Sequence, residues 1–490
     1  MGAINKNLQI QVESSVKWSA ITEIAAKIVT PITAMVLARI LAPEAFGVVV
    51  TVTMIVSFAE MFTDAGFQKY LVQHEFKDDD EKHKNTDVAF WTNLGISFFL
   101  WAIIAIFCEP IATLVGNKGL GNVITIACIQ LPLSSFSSIQ MALYRRDFDF
   151  KTLFLIRVIT IFIPFFVTIP LALYGFSYWA LIIGLLCGQL SNAIILTIKS
   201  KWKPKWFYSV EILKEMLGFS AWSLMVSISI WFTMWVDALI IGSSLNEYYL
   251  GLYKTSTSMV NTLMTLITAS ILPVLFPALS RLQDDYKQFK HMYFTTQRLV
   301  SIFVFPMGVG VFLYSDLATQ LLLGSQWSEA SDIIGIWSLT SAITIVFGHF
   351  CSEAYRARGK PALSFLSQVL HLVVLVPVCI ISSKYGFWAL VYARSWIRMQ
   401  SVLVDFIIMK FAMGFSVFKT LGNVFPTAIS AATMGLIGFY WRQQYSEVVW
   451  SLASIILCTA IYFGLLYLFP NIRKEMIGIV KRQFHMKHSG

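Results

Sequence analysis

Charged side chains occur deep inside several long apolar segments of this sequence, and they are its first candidates for chemistry. Lys27 lies within the first such segment, and Arg394 and Arg398 lie near the middle of a later one. A lysine or arginine at this depth cannot easily extend its charge to a membrane surface. An unpaired charge there costs several kcal/mol, so each of these residues faces a polar cavity or pairs with an opposite charge. The chemistry that they indicate is ligand binding or ion pairing.

Acidic side chains occur in the same kind of segment. Glu23 lies one helical turn from Lys27, and Glu60 and Asp64 lie one turn apart in the second segment. Asp237 lies nearer the outer end of the seventh segment. We predict these four acids to be coupling or cavity residues, with Glu23 as the resting partner of Lys27.

Depth and spacing separate the remaining candidates. Arg157 and Lys254 lie only about five residues inside their segments, so we interpret both as reaching the membrane surface. Lys254 also begins a polar stripe on the eighth segment that contains Asn261, and the second and seventh segments carry similar stripes. The stripes favour a polar cavity, although small hydroxyl residues also mediate ordinary helix packing. The predicted substrate-binding residues are Lys27, Lys254, Asn261, Arg394 and Arg398.

The segments that carry these residues are long enough to cross a membrane as helices. A hydrocarbon core of about 30 Å needs about 20 apolar residues, and such stretches recur about fourteen times. Backbone groups in lipid must be satisfied internally, which requires helices. The sequence therefore predicts an all-α integral membrane protein. The predicted spans are 18–41, 46–72, 88–108, 121–143, 152–173, 177–198, 217–241, 249–276, 299–323, 330–352, 362–383, 387–410, 424–440 and 448–469.

The distribution of positive charge predicts the orientation of these spans. Most of the 37 lysine and arginine residues fall in every second connection between the segments. The opposite connections contain only Arg39, Lys118, Lys384 and Arg442. Basic loops stay on the cytoplasmic side during insertion. We therefore predict a multi-pass protein of the cytoplasmic (inner) membrane with both termini in the cytoplasm.

A weak internal repeat predicts the domain organisation. An ungapped offset of 204 residues pairs Trp18 with Trp222 and Gly47 with Gly251, and further matches follow in the same order. Each predicted half contains six helices, so the halves enter the membrane in the same direction and place a cavity between them. The predicted divisions are an N-terminal lobe 1–200, a second lobe 201–411, and two additional helices with a tail in 412–490.

Several functional classes lack their signatures. The chain has no phosphate-binding loop of the GxxxxGK[ST] type, no GxSxG, no HExxH and no clustered set of cysteines and histidines. We therefore predict no enzymatic activity, no cofactor and no metal. The net charge of +10 arises from residues at helix ends, where they meet anionic headgroups, and no basic face interleaved with aromatic residues suggests nucleic acid.

Two stretches resemble a known family. LARILAPEAFGVVVTVTMIVSFAEMFTDAGFQKYLVQHE (37–75) and ALYRRDFDFK (142–151) are similar to Wzx-type lipopolysaccharide and exopolysaccharide exporters, a branch of the flippase superfamily that also contains multidrug exporters. The resemblance implies two six-helix lobes and a cationic central cavity. It also implies transport of an undecaprenyl-pyrophosphate-linked oligosaccharide from the inner to the outer leaflet. Lys27 and Lys254 fall on helices that line the family's cavity, whereas Arg394 and Arg398 lie on a less central helix.

The main hypothesis is therefore a flippase for a lipid-linked oligosaccharide that works by alternating access. Its predicted partners are this substrate, membrane lipids and the polymerase and export machinery of surface polysaccharide. One alternative is an ion-coupled exporter of cationic drugs, which basic residues at cavity depth disfavour. Another is a non-transport subunit of a polysaccharide machine, and the lack of large outside loops disfavours a polymerase.

Overall fold

The structure is a computed structural model that describes most of the chain. It covers residues 29–64, 67–269, 271–444 and 447–470, together with Trp18, Ala26, Ile472 and Arg473. Glu23 and Lys27 lie outside the described residues, and Asp64 is described only in its backbone. The described residues form helices and connecting loops without any strand.

Long apolar helices dominate, which confirms the predicted all-α membrane fold. Among the described residues, 11 helices are long and apolar enough to cross a membrane. Three of the predicted spans are not among them: the first is described only as Val29–Ile40, the polar eighth forms Glu247–Thr268, and the twelfth breaks near Ile397. The predicted number of about fourteen spans is therefore not confirmed.

The chain divides into two compact units. Unit 1 takes the described residues up to Thr255 together with Ser383–Phe387, and unit 2 takes Ser256–Ser382 and the described residues from Trp388 onwards. The predicted lobe limits at 200 and 411 stay a prediction. The helices of unit 1 are α1 (Val29–Ile40), α2 (Pro43–Asp64), α3 (Phe67–Gln73), α4 (Asp79–Ile106), α5 (Cys108–Leu114), α6 (Gly121–Ala127), α7 (Gln130–Arg146), α8 (Phe150–Ile163), α9 (Ile169–Leu173), α10 (Tyr178–Lys199), α11 (Val210–Ser244) and the first part of α12 (Glu247–Thr268).

Unit 2 begins within α12 and contains the remaining helices. A π-helical segment, Ile345–His349, joins two of them, as Pro164–Thr168 joins α8 to α9 in unit 1. The helices are α13 (Leu272–Arg281), α14 (Tyr286–Leu313), α15 (Ser315–Leu322), α16 (Ala330–Thr344), α17 (Phe350–Ala357), α18 (Pro361–Ser383), α19 (Phe387–Trp396), α20 (Arg398–Met413), α21 (Val417–Gln444) and α22 (Val448–Tyr467).

Short polar side chains fix where several helices begin. The Asp78 carboxylate accepts from the backbone N–H of Glu81 at 2.7 Å at the start of α4, and Ser209 begins α11 in the same way with Ile212. These side chains satisfy N–H groups that have no partner within the helix. Gly414, at φ +68°, ends α20 in the left-handed conformation that glycine adopts without strain.

A buried aromatic cluster holds together the helices at one end of unit 1. Phe67 and Leu71 of α3 are fully buried against Phe90 of α4, and Trp202 covers the same cluster from the loop before α11. Burial of large side chains contributes roughly 1.5–3 kcal/mol each. The cluster therefore fixes α3 beside α4 and α7, the helices that carry the site described next.

Candidate functional site

A polar cavity of about 570 Å³ lies within unit 1. It is bounded by α2, α3, α4, α7, α8, α10 and α11. The residues that line it are almost all polar, which is unusual for a space among membrane helices. They are Ser57, Glu60, Met61, Thr63, Gln68, Lys69, Asn93, Ser134, Ser137, Ser138, Met141, Arg145, Arg157, Gln189, Asn192, Leu224 and Ser227.

Positive charge exceeds negative charge in this cavity. Lys69, Arg145 and Arg157 supply the basic groups, and Glu60 is the acid among the described side chains that line it. Charges act over longer distances next to a low-dielectric wall than in open water. The net charge of the lining residues therefore determines whether the cavity favours an anion or a cation. The cavity is suited to an anion.

Two adjacent arginines at the end of α7 have different contacts. Arg146 donates to the carbonyl oxygens of Leu71 at 2.7 Å and His74 at 2.6 Å, and its guanidinium lies 4.5 Å from the Phe76 ring. These bonds satisfy the last carbonyl groups of α3 and attach that helix to α7. Arg145 points into the cavity instead, where it donates to the Gln68 amide oxygen at 3.3 Å.

The turn after these arginines starts the helix that carries Arg157. Phe148 takes a left-handed φ of 56°, and the Asp149 carboxylate accepts from the Thr152 N–H at 3.1 Å and its hydroxyl at 2.7 Å. This cap satisfies N–H groups of the first turn of α8. The exposed Arg157 guanidinium lines the cavity and makes no ion pair with a residue that the structure describes. The sequence predicts that Arg157 reaches the membrane surface, and the structure places this exposed side chain among the residues that line the cavity.

Serine hydroxyls along α7 give the cavity hydrogen-bonding groups without charge. Ser134 and Ser137 donate to carbonyl groups one turn back, at 2.9 Å each, and Ser138 accepts from the Asn93 amide at 2.7 Å. A hydroxyl that donates to its own helix keeps lone pairs that accept from a ligand. Ser57 of the predicted α2 stripe also lines the cavity and accepts from the Trp231 indole N–H at 3.0 Å.

Lys254 and Asp237 form a separate pair in unit 1. The Lys254 ammonium lies 3.1 Å from the Asp237 carboxylate and 4.9 Å from the Trp235 ring centroid, and Tyr253 donates to the same carboxylate at 2.9 Å. Asp237 is buried, and the Lys254 side chain is 18% exposed. Two predicted site residues are thus brought together as an ion pair with its own hydrogen bonds.

The predicted residues of unit 2 meet around one indole ring. Arg394 and Arg398 lie 5.4 Å and 4.3 Å from the Trp337 ring centroid, and Arg398 also donates to Ser341 at 2.7 Å. The Trp337 N–H donates to the Asn261 side-chain oxygen at 3.1 Å. Arginine stacks well on aromatic faces and keeps its N–H groups at the ring's edge for other partners. Sequence reasoning named three members of this cluster but not Trp337.

Asp405 is a further residue that sequence reasoning missed. It lies within α20, accepts from the Ser367 hydroxyl at 2.8 Å, and has the Tyr355 hydroxyl at 3.5 Å. No basic side chain that the structure describes forms an ion pair with it. The signal was present, because Asp405 is an ionisable residue inside an apolar segment. Among the described residues, no group of His, Cys, Asp and Glu side chains is arranged to hold a metal ion.

Comparison with known proteins places these features in context. The family model described as polysaccharide biosynthesis protein matches residues 36–332. The succinoglycan biosynthesis transport protein ExoT of Rhizobium meliloti is 24% identical over 68% of this chain and 66% of its own length. The lipopolysaccharide biosynthesis protein WzxC of Escherichia coli is 20% identical over 76% of this chain and 75% of its own. A probable low-salt glycan biosynthesis flippase, Agl15 of Haloferax volcanii, is 21% identical over 59% of this chain and 56% of its own.

The fold is also similar to that of a solved transporter structure. An inward-facing multidrug resistance transporter of the MATE family, in the MOP superfamily, superposes with a TM-score of 0.63 at 13% identity. The match covers 81% of this chain and 98% of that one. At this identity the similarity establishes the architecture only, and the transported ligand has to be inferred from the residues of the site.

Proposed function

Because the chain belongs to the polysaccharide biosynthesis protein family, we propose that it is a flippase for a lipid-linked oligosaccharide. The cargo is an undecaprenyl-pyrophosphate-linked repeat unit that moves from the inner to the outer leaflet of the cytoplasmic membrane by alternating access. Both termini face the cytoplasm in this proposal, as the basic loops predict. The chain carries out transport without a catalytic step and works beside the polymerase and export machinery of surface polysaccharide.

The cavity of unit 1 is the observation that carries this proposal. Arginine binds phosphate oxygens through paired N–H groups, and the cavity holds Arg145 and Arg157 with Lys69 nearby. Glu60 opposes them with a single negative charge. A diphosphate carries more negative charge than one carboxylate, so a diphosphate competes successfully for these cations.

The neutral lining supports the saccharide part of the cargo. Sugars bind through many hydroxyl donors and acceptors, and Asn93, Gln189 and Asn192 offer amide groups beside the serines of α7. The volume of about 570 Å³ lies within the range of pockets that enclose a small ligand. The lipid tail stays in the bilayer, because its apolar surface is already removed from water there.

The other predicted residues have supporting parts in the same proposal. Arg394, Arg398 and Asn261 give unit 2 a polar surface around Trp337. Lys27 is a second diphosphate ligand, with Glu23 as its resting partner, and Lys254 exchanges Asp237 for the cargo during transport. Glu60 and Asp64 are the candidates for ion coupling.

Neutralising the cavity arginines tests the proposal. In cells that lack the native gene, Arg157→Gln and Arg145→Gln are each expected to lower export of surface polysaccharide at least about tenfold, the loss of one charged hydrogen bond. The lipid-linked saccharide should accumulate on the inner leaflet. Arg157→Lys should keep part of the activity because it keeps the charge.

Lys151→Gln is the matched control, because it removes one positive charge from the exposed start of the same helix. It should leave export unchanged. Full export by a normally expressed Arg145→Gln, Arg157→Gln double variant would refute the proposed site. Efflux of cationic dyes with normal polysaccharide in the deletion strain would favour the multidrug alternative instead.

A further inference from the structure

Unit 2 contains a second charged space, distinct from the cavity of unit 1. It is a groove of about 970 Å³ between the N-terminal ends of α14 and α21. Both helices are long and apolar enough to cross a membrane, so their first turns lie at the level of the lipid headgroups. The groove is lined by Asp285, Lys287, Gln288, Lys290, His291, Phe294, Thr295, Arg298, Lys419, Gly422 and Asn423.

The charge in this groove is strongly positive. Lys287, Lys290, Arg298 and Lys419 all line it, whereas Asp285 is its acid among the described residues. The Asp285 carboxylate accepts from the N–H groups of Lys287 and Gln288, and from the Gln288 amide at 2.7 Å. The backbone N–H of Gln288 is the main reason that the pKa of Asp285 lies below its usual value. This acid caps α14, and its single negative charge is outnumbered by the four basic residues of the groove.

Arg298 is held in place at the inner end of the groove. It donates to the Asn423 side-chain oxygen at 3.2 Å, and the Asn423 amide donates to the Phe294 carbonyl at 2.8 Å and to Gln297 at 3.1 Å. Gln297 is fully buried. A cation that is oriented by a satisfied network loses little freedom when it binds a ligand. The groove thus has an arginine held by hydrogen bonds at its base and three lysines among its other lining residues.

The groove is open at Gly422. It lies within α21, and a Cβ atom added there would meet no heavy atom within 4 Å. Nearby on the same helix, Phe418 is 88% exposed, which suits a ring at the membrane surface. The groove therefore opens towards the region that lipid headgroups occupy.

We propose that this groove binds the phosphate headgroup of an anionic phospholipid of the surrounding membrane. Basic pockets between membrane helices attract such headgroups, and each lysine or arginine near the surface contributes affinity. A lipid is favoured over a free phosphate because its headgroup is confined to this plane at high local concentration. The site shares no residue with the cavity of unit 1, so the inference does not depend on the transported cargo.

Native mass spectrometry of the purified full chain in detergent tests this site. Added phosphatidylglycerol and cardiolipin should bind more tightly than phosphatidylcholine. The Lys290→Gln, Lys419→Gln double variant should weaken binding of the anionic lipids by about fivefold for each lysine, which is about 25-fold in total. Gly422→Phe should weaken it as well, because the ring fills the groove while every charge remains.

Two variants serve as matched controls. Lys151→Gln changes the net charge outside the groove, and Gly464→Phe adds a ring at another helical glycine with open space around it. Both should bind the lipids as the native chain does, and all variants should elute as folded monodisperse protein before measurement.

Three outcomes would overturn the proposal. If phosphatidylcholine binds as tightly as phosphatidylglycerol and cardiolipin, the basic residues serve only to orient the helices. Normal lipid binding by the folded lysine double variant would place the lipid elsewhere. Displacement of the lipids by an equal concentration of inorganic pyrophosphate would identify a site for free phosphates rather than for a headgroup. If Gly422→Phe fails to fold, the lysine variants and the competition with pyrophosphate still decide.

Discussion

Gly47 of α2 and Gly251 of α12 lie against each other where the first turns of the two helices meet within unit 1. A Cβ atom on Gly47 would overlap the carbonyl oxygen of Glu247, and one on Gly251 would overlap that of Pro43. Both glycines and both carbonyl residues are related by the same offset of 204 residues. The contact is reciprocal, because each glycine lies against the carbonyl group of the residue four positions before the other glycine.

Substitution at this contact should destabilise the protein. Gly47→Ala and Gly251→Ala each place a methyl group against backbone, which cannot move away as a flexible side chain can. We expect a loss of about 1–3 kcal/mol, the usual effect of overpacking, and a lower midpoint of thermal unfolding in detergent. Gly95→Ala is the control, because a Cβ atom there has no neighbour within 4 Å. Equal unfolding midpoints for all three variants and the native chain would contradict the close approach.

The two arginines that end α7 should give opposite phenotypes. Arg146→Gln removes the bonds to the carbonyl groups of Leu71 and His74, so we expect lower abundance of folded protein. Arg145→Gln removes only one bond, to Gln68, so abundance should stay normal while export of polysaccharide falls. Immunoblots of membrane fractions, read beside surface polysaccharide, separate the two effects. A folded and abundant Arg146→Gln protein would mean that the anchor is dispensable.

The sequence was sufficient for the helical membrane fold and for one polar stripe that reaches the cavity. Segment length and apolar content decide whether a helix crosses lipid, and both are local properties. Residues three or four apart share one face of a helix, and Ser57 and Glu60 of α2 both line the cavity. Gln68, which the sequence placed on the same stripe, lines the cavity from α3.

Which face a helix turns towards its neighbours could not be predicted for every charged residue. Depth alone made Arg157 resemble a residue that reaches the membrane surface. In the structure α8 packs against α7 and α10, and Arg157 is among the residues that line the cavity. Lys69 and Arg145 were counted among the basic residues that fix orientation. Their second role depends on how α3 packs against α7, a contact between segments that are distant in sequence.

The pair of Lys254 and Asp237 gives a prediction about charge balance. Lys254→Met should lower the abundance of folded protein, because it leaves a buried carboxylate without its cation, a change that costs about 3–5 kcal/mol. The double variant Lys254→Met, Asp237→Asn should recover abundance. Export by that double variant then tells the roles apart: recovery of export means a structural pair, and loss of export at normal abundance means that Lys254 contacts the cargo. Normal abundance of the single variant would contradict the burial of Asp237.

Lys27 remains the basic residue that the sequence favours most. Lys27→Ala should abolish export while the protein stays inserted and folded, because a cation too deep to reach the surface is available to the diphosphate. Lys27→Arg should keep part of the activity, and Glu23→Gln should be milder. If the two residues are only a structural pair, each single neutralisation lowers abundance and the double neutralisation restores both abundance and export. Expression and surface polysaccharide, measured for all four variants, distinguish these results.

Asp405 provides a test of how unit 2 holds a partly buried carboxyl group. Asp405→Asn keeps an oxygen that accepts from the Ser367 hydroxyl, so we expect little change in thermal stability. Asp405→Leu leaves the hydroxyls of Ser367 and Tyr355 without this acceptor, at a cost of about 1–3 kcal/mol for a buried polar group. In a Ser367→Ala background, the difference in thermal stability between Asp405→Asn and Asp405→Leu should be smaller, because one of the hydroxyl donors that needs an acceptor is then absent. Unfolding midpoints of the purified variants measure this coupling, and equal midpoints for Asp405→Asn and Asp405→Leu would show that the hydroxyls find other partners.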